Sequence, residues 1–454
     1  MASARTWWVV AAVVVAAAVV RVGLVAGVDS AHPGRAVDSN DAPTYIEPAQ
    51  SLLENREFDR APDSESPEFV RTPGYPAFLA AVFWVSDDST TAVVILQALL
   101  SGLSVLLAIL LGWRLSGSHR VGIGAGGLLA LDPLQAATAG YVATESVATV
   151  LLAFTAYAAV RFAQRGFDRR WGLAFAAGLV ATTYVRPTTF YFVAIVAVLL
   201  GIKALREPER RTRTAILRAG AIALLPCVAL LGAWNVRNQA EVGSWRFSAV
   251  ESVNTYWYRA ADAVARRDDV SFDHARRRLT RDLGRDLGVE FDYDAHSHGT
   301  VPPEMAHDQG RYYDAAGRLG LEILRSEPHI SGRQVADGVL SQLVQSGWVT
   351  AFGYFTGESP PAPVRALGLG AVWTVEGLAL VGMALSLRRS SDGTSRLAHA
   401  IPIALVAYTV LAGAGPEADA GYRFRVPIWP VWCVYASIGA RRLARFARSR
   451  RATW

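Results

Sequence analysis

The chain alternates between ten strongly apolar segments and the polar stretches that join them. A helix needs about 20 apolar residues to cross the hydrocarbon core of a bilayer, and most of the segments approach that length. The shorter ones fit a membrane if they tilt or re-enter the same face. The pattern predicts an all-α polytopic membrane protein with about ten transmembrane helices, near residues 6–28, 91–113, 120–136, 143–162, 171–186, 188–203, 217–235, 365–387, 397–414 and 425–440.

Two long polar stretches interrupt this pattern: residues 29–90, here called the first loop, and residues 236–364, here called the insert. They divide the chain into three predicted parts. The N-terminal transmembrane module covers residues 1–235 and includes the first loop. The insert follows, and residues 365–454 form the C-terminal transmembrane helices and a basic tail.

Shorter periodic patterns occur within both stretches. Residues 43–56 are typical of an amphipathic helix. Residues 74–86 are apolar but too short to span, so we expect them to lie in the membrane interface with their aromatic side chains at headgroup depth. In the insert, residues 260–287 and 309–327 have helical spacing. Residues 334–352 predict an amphipathic helix on the outer leaflet.

Arginines and acids fall on opposite sides of the predicted spans. The loops on one side hold 22 of the 45 basic residues and only four of the 39 acids, which leaves 23 bases and 35 acids for the other side. Basic residues in short loops mark the cytoplasmic side of a membrane protein. We therefore expect a plasma (inner) membrane protein with both termini cytoplasmic, and with the first loop and the insert extracytoplasmic. The basic regions are Arg5 and residues 113–120, 161–171, 203–218, 388–396 and 441–454.

Composition excludes several other classes. The chain is 52% hydrophobic, and its basic pI reflects cytoplasmic loops that face anionic lipid, so no nucleic-acid binding is expected. Cys227 and Cys433 both lie in apolar segments, which argues against a disulfide framework. Residues 6–28 indicate an uncleaved first span rather than a signal peptide, because the apolar run is long and no clear cleavage site follows. Arg21, near its outer end, is expected to snorkel.

Three carboxylates lie near the predicted extracytoplasmic rim. Asp38 and Asp41 follow the first span, and Glu145 opens the fourth. A carboxylate in a water-filled membrane cleft can act as a general base or bind a metal, because burial and a neighbouring acid shift its pKa toward neutrality. The alternative is that Asp41 caps its helix and Glu145 begins its own helix, where the dipole favours negative charge. Spacing alone leaves both interpretations open.

Five arginines are expected at the same interface. Arginine is suited to bidentate binding of phosphate. Contact with lipid headgroups would explain any one of them. As a group they run against the positive-inside tendency, which favours a shared role in binding an anion. They are Arg71, Arg186, Arg237, Arg423 and Arg425.

Histidines and aromatic residues of the insert give weaker signals. His296, His298 and His307 lie among aspartates, but their spacing fits no zinc pattern, so a solvated loop is the favoured interpretation. Residues 256–258 (Tyr, Trp, Tyr) either stack on a sugar or belong to the aromatic belt, which is the default. No cofactor is predicted; a divalent metal is possible but is not predicted.

Short motifs recur along almost the whole chain in an order that resembles the GT-C membrane glycosyltransferases. The similarity is strongest to the protein O-mannosyltransferase and aminoarabinose-transferase group, often called family 39. Each motif is weak alone, but the ordered set is fairly specific. The motifs are Asp41-Ala-Pro-Thr-Tyr45, Arg71-Thr-Pro-Gly-Tyr-Pro76, Leu96-Gln-Ala-Leu99, Thr144-Glu145, Arg186-Pro-Thr188, Trp234-Asn-Val-Arg-Asn238 and Tyr422-Arg-Phe-Arg-Val-Pro427.

This resemblance implies an inverting enzyme that takes a sugar from a polyprenyl-phosphate donor. It implies that Asp41 is the catalytic carboxylate; the family often has a second acid directly after it, where this chain has Ala42. Asp38 or Glu145 would then supply the second charge. We expect Asp41 and Glu145 to be catalytic, with Asp41 as general base. The expected substrate-binding residues are Asp38, Tyr45, Arg71, Tyr75, Tyr141, Arg186, Arg237, Asn238, Arg423 and Arg425.

The expected partners are the lipid-linked donor, membrane lipids and an acceptor that is a protein, a lipid or a polysaccharide. Two other functions stay open: a flippase or transporter of lipid-linked sugars, and a glycan ligase or polymerase that uses a lipid diphosphate. Transporters place charges near the middle of the membrane. Here the charges collect at one interface, which favours an enzyme.

Overall fold

The computed structural model describes residues 3–39, 41–389, 393–415 and 421–451, so parts of the predicted 388–396 loop and of the basic tail lie outside the described residues. Within these ranges the chain is helical and has no β-strand, apart from one isolated bridge between Asp59 and Pro67. Seven helices in the described ranges are long and apolar enough to cross a membrane. The all-α polytopic membrane fold is therefore confirmed, whereas the number of ten spans stays a prediction.

The described residues before the insert form ten α-helices. They are α1 (Ala4–Ala31), α2 (Pro43–Glu54), α3 (Gly74–Ser86), α4 (Thr90–Ser116), α5 (His119–Ala130), α6 (Pro133–Thr138), α7 (Glu145–Gln164), α8 (Arg169–Val185), α9 (Phe192–Leu205) and α10 (Arg210–Val242). A short 3₁₀ turn, Pro187–Thr189, lies between α8 and α9.

The insert and the C-terminal part add ten more. They are α11 (Val250–Val253), α12 (Ala261–Asp268), α13 (Phe272–Leu287), α14 (Gln309–Ser326), α15 (Pro328–Val344), α16 (Trp348–Thr356), α17 (Ala362–Arg389), α18 (Gly393–Ala412), α19 (Gly421–Arg425) and α20 (Trp429–Arg451). A π-helix, Asn254–Ala260, joins α11 to α12. Further 3₁₀ turns occur at Arg35–Val37, Pro303–Met305 and Val426–Ile428.

The candidate spans are α1, α4, α7, α9 with the turn before it, α10, α17 and α18. The other three predicted spans have local reasons to differ. The segment 120–136 breaks into α5 and α6 because Pro133 starts a new helix, capped by the Asp132 side chain, which accepts from the Leu134 N–H at 3.0 Å. Helix α8 has only 17 residues and stops just before Pro187. Helix α20 continues from its apolar half into a run of arginines.

Close helix packing holds the C-terminal part against the rest. Helices α17 and α20 cross at Gly382 and Gly439. A Cβ on Gly382 would overlap the Tyr435 carbonyl, and a Cβ on Gly439 would overlap the Leu378 carbonyl. Small residues at such crossings let two membrane helices approach closely enough for extensive van der Waals contact.

The structure corrects the snorkelling predicted for Arg21. Its side chain is only 1% exposed and donates to the carbonyls of Ser101 and Leu129, each at 2.6 Å. Leu129 lies in the last turn of α5, where carbonyl groups have no partner within the helix and a cation is favourable. Arg21 therefore crosslinks α1, α4 and α5 instead of reaching the surface.

Two predictions about aromatic residues are also corrected. Tyr256 and Trp257 belong neither to an aromatic belt nor to an exposed sugar platform, because both are buried in the hydrophobic core of the insert. The Trp257 indole donates to the Thr280 hydroxyl at 3.0 Å. In α3, Tyr75 is buried and donates to Gln97 at 2.8 Å rather than lying at headgroup depth. Trp84 of the same helix is exposed, and its position at headgroup depth stays a prediction.

Candidate active site

One cavity of about 380 Å³ opens where four parts of the chain meet. The beginning of α2 and residues 68–72 line it from the first loop. The beginning of α7 and the turn after α8 form a second side, and α19 forms a third. The insert closes the fourth side with residues 250–258 and 298–300. The cavity therefore exists only when segments that are far apart in sequence are folded together.

Asp41 lies on the cavity lining immediately before α2. Its Oδ1 accepts from Arg71 Nη2 at 2.7 Å, and its Oδ2 accepts from Arg423 Nη2 at 3.1 Å. The N-cap residue of α2 is Ala42, and no side chain caps this helix. The interpretation of Asp41 as a helix cap is therefore wrong, and its carboxylate is instead shared between two guanidinium groups.

Glu145 is the first residue of α7, and its side chain is only 4% exposed. Its Oε1 accepts from Arg423 Nε at 3.1 Å and lies 3.4 Å from Arg186 Nη1. A carboxylate at this position is favoured by the helix dipole, as the simpler interpretation proposed. It also faces the cavity, where Arg423 bridges Glu145 to Asp41, and its catalytic role stays a prediction.

Neighbouring side chains orient the other two predicted arginines on the lining. Arg71 donates to the Thr44 hydroxyl at 2.9 Å and to the Tyr45 hydroxyl at 3.1 Å, and its guanidinium lies 4.5 Å from the centre of the Tyr45 ring. Arg186 donates to the Thr144 hydroxyl at 3.3 Å. These contacts fix planar donor groups at the cavity wall, which suits them to bind the oxygens of an anion.

Charge controls the protonation of the acid in this site. Burial by itself raises the pKa of Asp41, but the guanidinium groups of Arg71 and Arg423 outweigh it and hold the pKa below its ordinary value. Glu68, on the same lining, has a raised pKa because it is buried, although its carboxylate accepts from the Arg71 backbone N–H at 2.6 Å. Asp41 is thus ionised near neutral pH while both of its oxygens are engaged by arginines.

Three predicted substrate-binding residues have structural contacts away from the cavity lining. Arg237 donates to the carbonyls of Glu68 at 3.1 Å and Phe58 at 3.3 Å, which ties α10 to the first loop. Asn238 donates to the Arg246 carbonyl at 2.9 Å and so supports the loop after α10. Arg425 points into the protein interior, as described below.

Of the remaining predicted substrate-binding residues, some line the cavity and others do not. Tyr45 lines the cavity. Tyr75 is buried against Gln97, away from the lining. Tyr141 packs its ring 4.8 Å from that of Tyr354, and Asp38 is exposed after a 3₁₀ turn. The structure thus places Asp41, Glu145, Tyr45, Arg71, Arg186 and Arg423 around one cavity.

The insert contributes lining residues that the sequence predictions did not include. The π-helix places Asn254 and Tyr258 on the cavity, and a turn adds His298 and Thr300. Such π-helical turns are rare and often occur at functional sites. They have no clear sequence signature: the sequence favours an aromatic belt for Tyr258 and a solvated loop for His298.

Arg276 connects these two insert segments. Its buried guanidinium lies 5.3 Å from the centre of the Tyr258 ring, and its Nε donates to the Ser297 carbonyl at 2.9 Å. Gly299 has a φ of +86° and packs against Trp257, so a side chain there would be strained and crowded. The insert side of the cavity is therefore a supported wall, on which His298 is exposed and lines the cavity.

Metal ligands do not assemble in the part of the chain that the structure describes: no group of three or more His, Cys, Asp and Glu side chains comes together there. His296 packs against Phe291, and His307 is exposed. Neither lines the cavity that His298 faces.

Solved structures define the class to which this fold belongs. The archaeal oligosaccharyltransferase AglB from Archaeoglobus fulgidus, in complex with an inhibitory peptide and a dolichol-phosphate, matches with a TM-score of 0.53 and 12% identity, over 97% of this chain and 51% of that chain. An Archaeoglobus fulgidus oligosaccharyltransferase tethered with an acceptor peptide containing the NVT sequon matches with a TM-score of 0.52 and 11% identity, over 97% of this chain and 51% of that chain. ArnT from Cupriavidus metallidurans bound to undecaprenyl phosphate matches with 13% identity, over 97% of this chain and 79% of that chain. Its TM-score of 0.38 is too low to indicate a shared fold. The chain spans about half the length of the two Archaeoglobus fulgidus chains.

A protein-family model also matches part of the sequence. Residues 70–233 match the family model described as dolichyl-phosphate-mannose-protein mannosyltransferase. No curated protein sequence matches the chain. The matched region includes Arg71, Glu145 and Arg186 but neither Asp41 nor Arg423. Together with the fold, this match points to the GT-C superfamily of membrane glycosyltransferases, as the sequence motifs implied.

Proposed function

We propose that the protein is an integral-membrane glycosyltransferase that moves a sugar from a polyprenyl-phosphate donor to an acceptor on the extracytoplasmic face. One observation carries this proposal: Arg423 contacts both Asp41 and Glu145 in a cavity that Arg71 and Arg186 also line. The half-buried Asp41 carboxylate would supply a base, and fixed guanidinium groups would supply charge for a phosphate. Fold alone does not determine function, so the proposal depends on this site.

The arginines would stabilise the leaving group. As the bond between the anomeric carbon and the phosphate oxygen breaks, its electron pair remains on the lipid monophosphate and negative charge grows there. Preorganised donors aimed at developing charge are among the strongest contributions to catalysis. Arg71, Arg186 and Arg423 would bind these oxygens, and their contacts with Asp41 and Glu145 hold them in place before the donor arrives.

Asp41 would act as general base. The acceptor hydroxyl oxygen attacks the anomeric carbon from the face opposite the phosphate, its proton passes to the Asp41 carboxylate, and the configuration inverts. Both Asp41 oxygens are paired with arginines in the absence of substrate. A donor phosphate would compete for Arg71 and Arg423, and this would release a carboxylate oxygen for proton transfer.

Other observations support the substrate class and location. The AglB structure with the matching fold contains a dolichol-phosphate, which supports a lipid phosphate as the donor carrier. The charge asymmetry of the loops supports an extracytoplasmic cavity with both termini in the cytoplasm. The acceptor would enter along the insert side, whose polar groups can bind a protein, a lipid or a polysaccharide.

Transfer from a labelled polyprenyl-phosphate sugar tests the proposal. Purified protein in lipid nanodiscs is supplied with lipid-linked sugars and with membrane extract as acceptor, and the lipid product is analysed. We expect polyprenyl monophosphate, and loss of transfer in a folded Asp41→Asn variant. A lipid diphosphate product would indicate a ligase or polymerase, movement of the donor without acceptor would indicate a flippase, and transfer retained by Asp41→Asn would exclude Asp41 as base.

A further inference from the structure

Two arginines of the five-residue helix α19 point to opposite sides. Residues two positions apart on a helix are separated by about 200° around its axis, so they cannot face the same cavity. Arg423 reaches Asp41 and Glu145, whereas the side chain of Arg425 is 3% exposed and extends into the protein. The sequence motif contains both residues, but they have different environments.

Arg425 is fully engaged by buried groups. Its Nη1 donates to Glu376 Oε1 and to the Gln342 carbonyl, both at 2.6 Å. Its Nη2 donates to the Gln345 carbonyl at 2.8 Å and to the Ser346 carbonyl at 3.4 Å. Glu376 lies in α17, and its side chain is 7% exposed. One guanidinium therefore joins α17, the end of α15 and α19.

These contacts have a structural logic. The last carbonyls of α15 have no partner within their helix, and a cation is favourable there. Helix α19 is too short to be stable without tertiary contacts. Its far end is held as well, since the Val426 carbonyl accepts from Gln135 Nε2 at 2.8 Å. The interior side of α19 is therefore fixed, and this determines where Arg423 lies on the other side.

Stability alone does not account for a buried ion pair. Removing two charges from water costs several kcal/mol per ion, and apolar pairs of similar volume are often equally stable. Such a pair is informative when it determines one arrangement among several. Here the arrangement is the position of the Arg423 guanidinium between two carboxylates on the cavity.

We propose that Glu376 is a positioning residue that acts through Arg425 to hold Arg423 between Asp41 and Glu145, and that it thereby sets the affinity for the donor phosphate. The part that concerns the donor rests on the proposed function. Glu376 is not among the residues that line the cavity, so it would act without touching the substrate.

A stability cycle tests the positioning without any substrate. Thermal unfolding of Arg423→Gln, Glu145→Gln and the double variant gives the coupling between these residues, and the cycle is repeated with Glu376→Gln. We expect the coupling to be lost when Glu376 is neutral. Coupling of the same size in both backgrounds would overturn the proposal. If Glu376→Gln does not fold, the cycle is repeated with Glu376→Asp, whose shorter side chain lengthens the 2.6 Å contact with Arg425 and is expected to reduce the coupling.

Binding of undecaprenyl phosphate in nanodiscs tests the consequence. We expect Glu376→Gln to raise the Kd for undecaprenyl phosphate about tenfold, which is the effect of losing one charged hydrogen bond. Glu376→Asp should restore part of this affinity. In a protein that already carries Arg423→Gln, adding Glu376→Gln should raise the Kd no further. The control is Glu207→Gln, which breaks the 3.0 Å pair with Lys203 at the other end of the molecule. An equal rise in both backgrounds would overturn the proposal. If the wild type binds no undecaprenyl phosphate, the proposed function fails, and the stability cycle alone decides the positioning role.

Discussion

The Nη2 atom of Arg423 lies 3.1 Å from Oδ2 of Asp41, although 382 positions separate the two residues in the chain. This ion pair joins the first loop to the short helix before the last helix of the chain. Because the same guanidinium also reaches Glu145, the charge pattern of the cavity depends on three distant segments. It also means that Asp41, the proposed base, competes with any bound anion for its arginine partners.

The first prediction follows from this competition. Neutralising Asp41 removes a carboxylate that occupies Arg71 and Arg423, so these groups become more available to phosphate. We expect Asp41→Asn to abolish sugar transfer and yet to bind undecaprenyl phosphate about threefold to tenfold more tightly than the wild type. Titration of the variant in nanodiscs measures Kd directly.

Asp63→Asn provides the matched control, because Asp63 is an exposed acid of the same loop that does not line the cavity. We expect this variant to bind with the wild-type Kd. Weaker binding by a folded Asp41→Asn variant would mean that Asp41 contacts the donor directly and does not compete with it.

A second prediction concerns the shape of the Arg423 side chain. Its Nε and Nη2 donate to two different carboxylates, and a lysine ammonium cannot reproduce that fork. We expect Arg423→Lys to lower kcat about 10- to 100-fold, because donors aimed at the leaving phosphate are misplaced. The control is Arg318→Lys, which alters an exposed pair with Asp286. A kcat unchanged in Arg423→Lys would show that only the charge at this position matters.

A third prediction concerns stability at low pH. In the unfolded chain Asp41 has its ordinary pKa of 3.8. In the folded protein its arginine partners hold the pKa below that value. Its stabilising contribution is therefore complete above the unfolded pKa and is lost as the pH falls through the folded pKa. We expect the difference in thermal midpoint between wild type and Asp41→Asn to shrink as the pH falls from about 5 to about 3.

Glu68 contributes with the opposite sign, since its pKa is raised by burial. That contribution is present in both proteins and cancels in the difference. A difference in thermal midpoint that stays constant over this range would show that the ion pairs of Asp41 do not stabilise the folded protein.

The sequence predicted the helical fold, and its motifs included three residues that line the cavity, for identifiable reasons. Apolar length indicates spans directly, and short motifs marked Asp41, Glu145 and Arg423. The sequence could not show which way each side chain points. Arg423 and Arg425 belong to one motif, yet Arg423 faces the cavity and Arg425 faces Glu376. The same is true of Arg237, because only the tertiary fold shows that it donates hydrogen bonds to carbonyls of the first loop.

The insert side of the cavity leads to the last prediction. His298 and Asn254 line the insert side of the cavity and bear no charge that would attract phosphate. Partial desolvation and the nearby Arg276 lower the pKa of His298, which favours a neutral imidazole near pH 7. We expect His298→Ala and Asn254→Ala to reduce transfer to acceptors in membrane extract about tenfold. Their Kd for undecaprenyl phosphate should match that of the wild type. The control is His307→Ala, which changes an exposed histidine away from the cavity and should leave both transfer and Kd at their wild-type values. If the two substitutions weakened lipid binding as strongly as transfer, the insert wall would contact the donor and the acceptor would have to enter elsewhere.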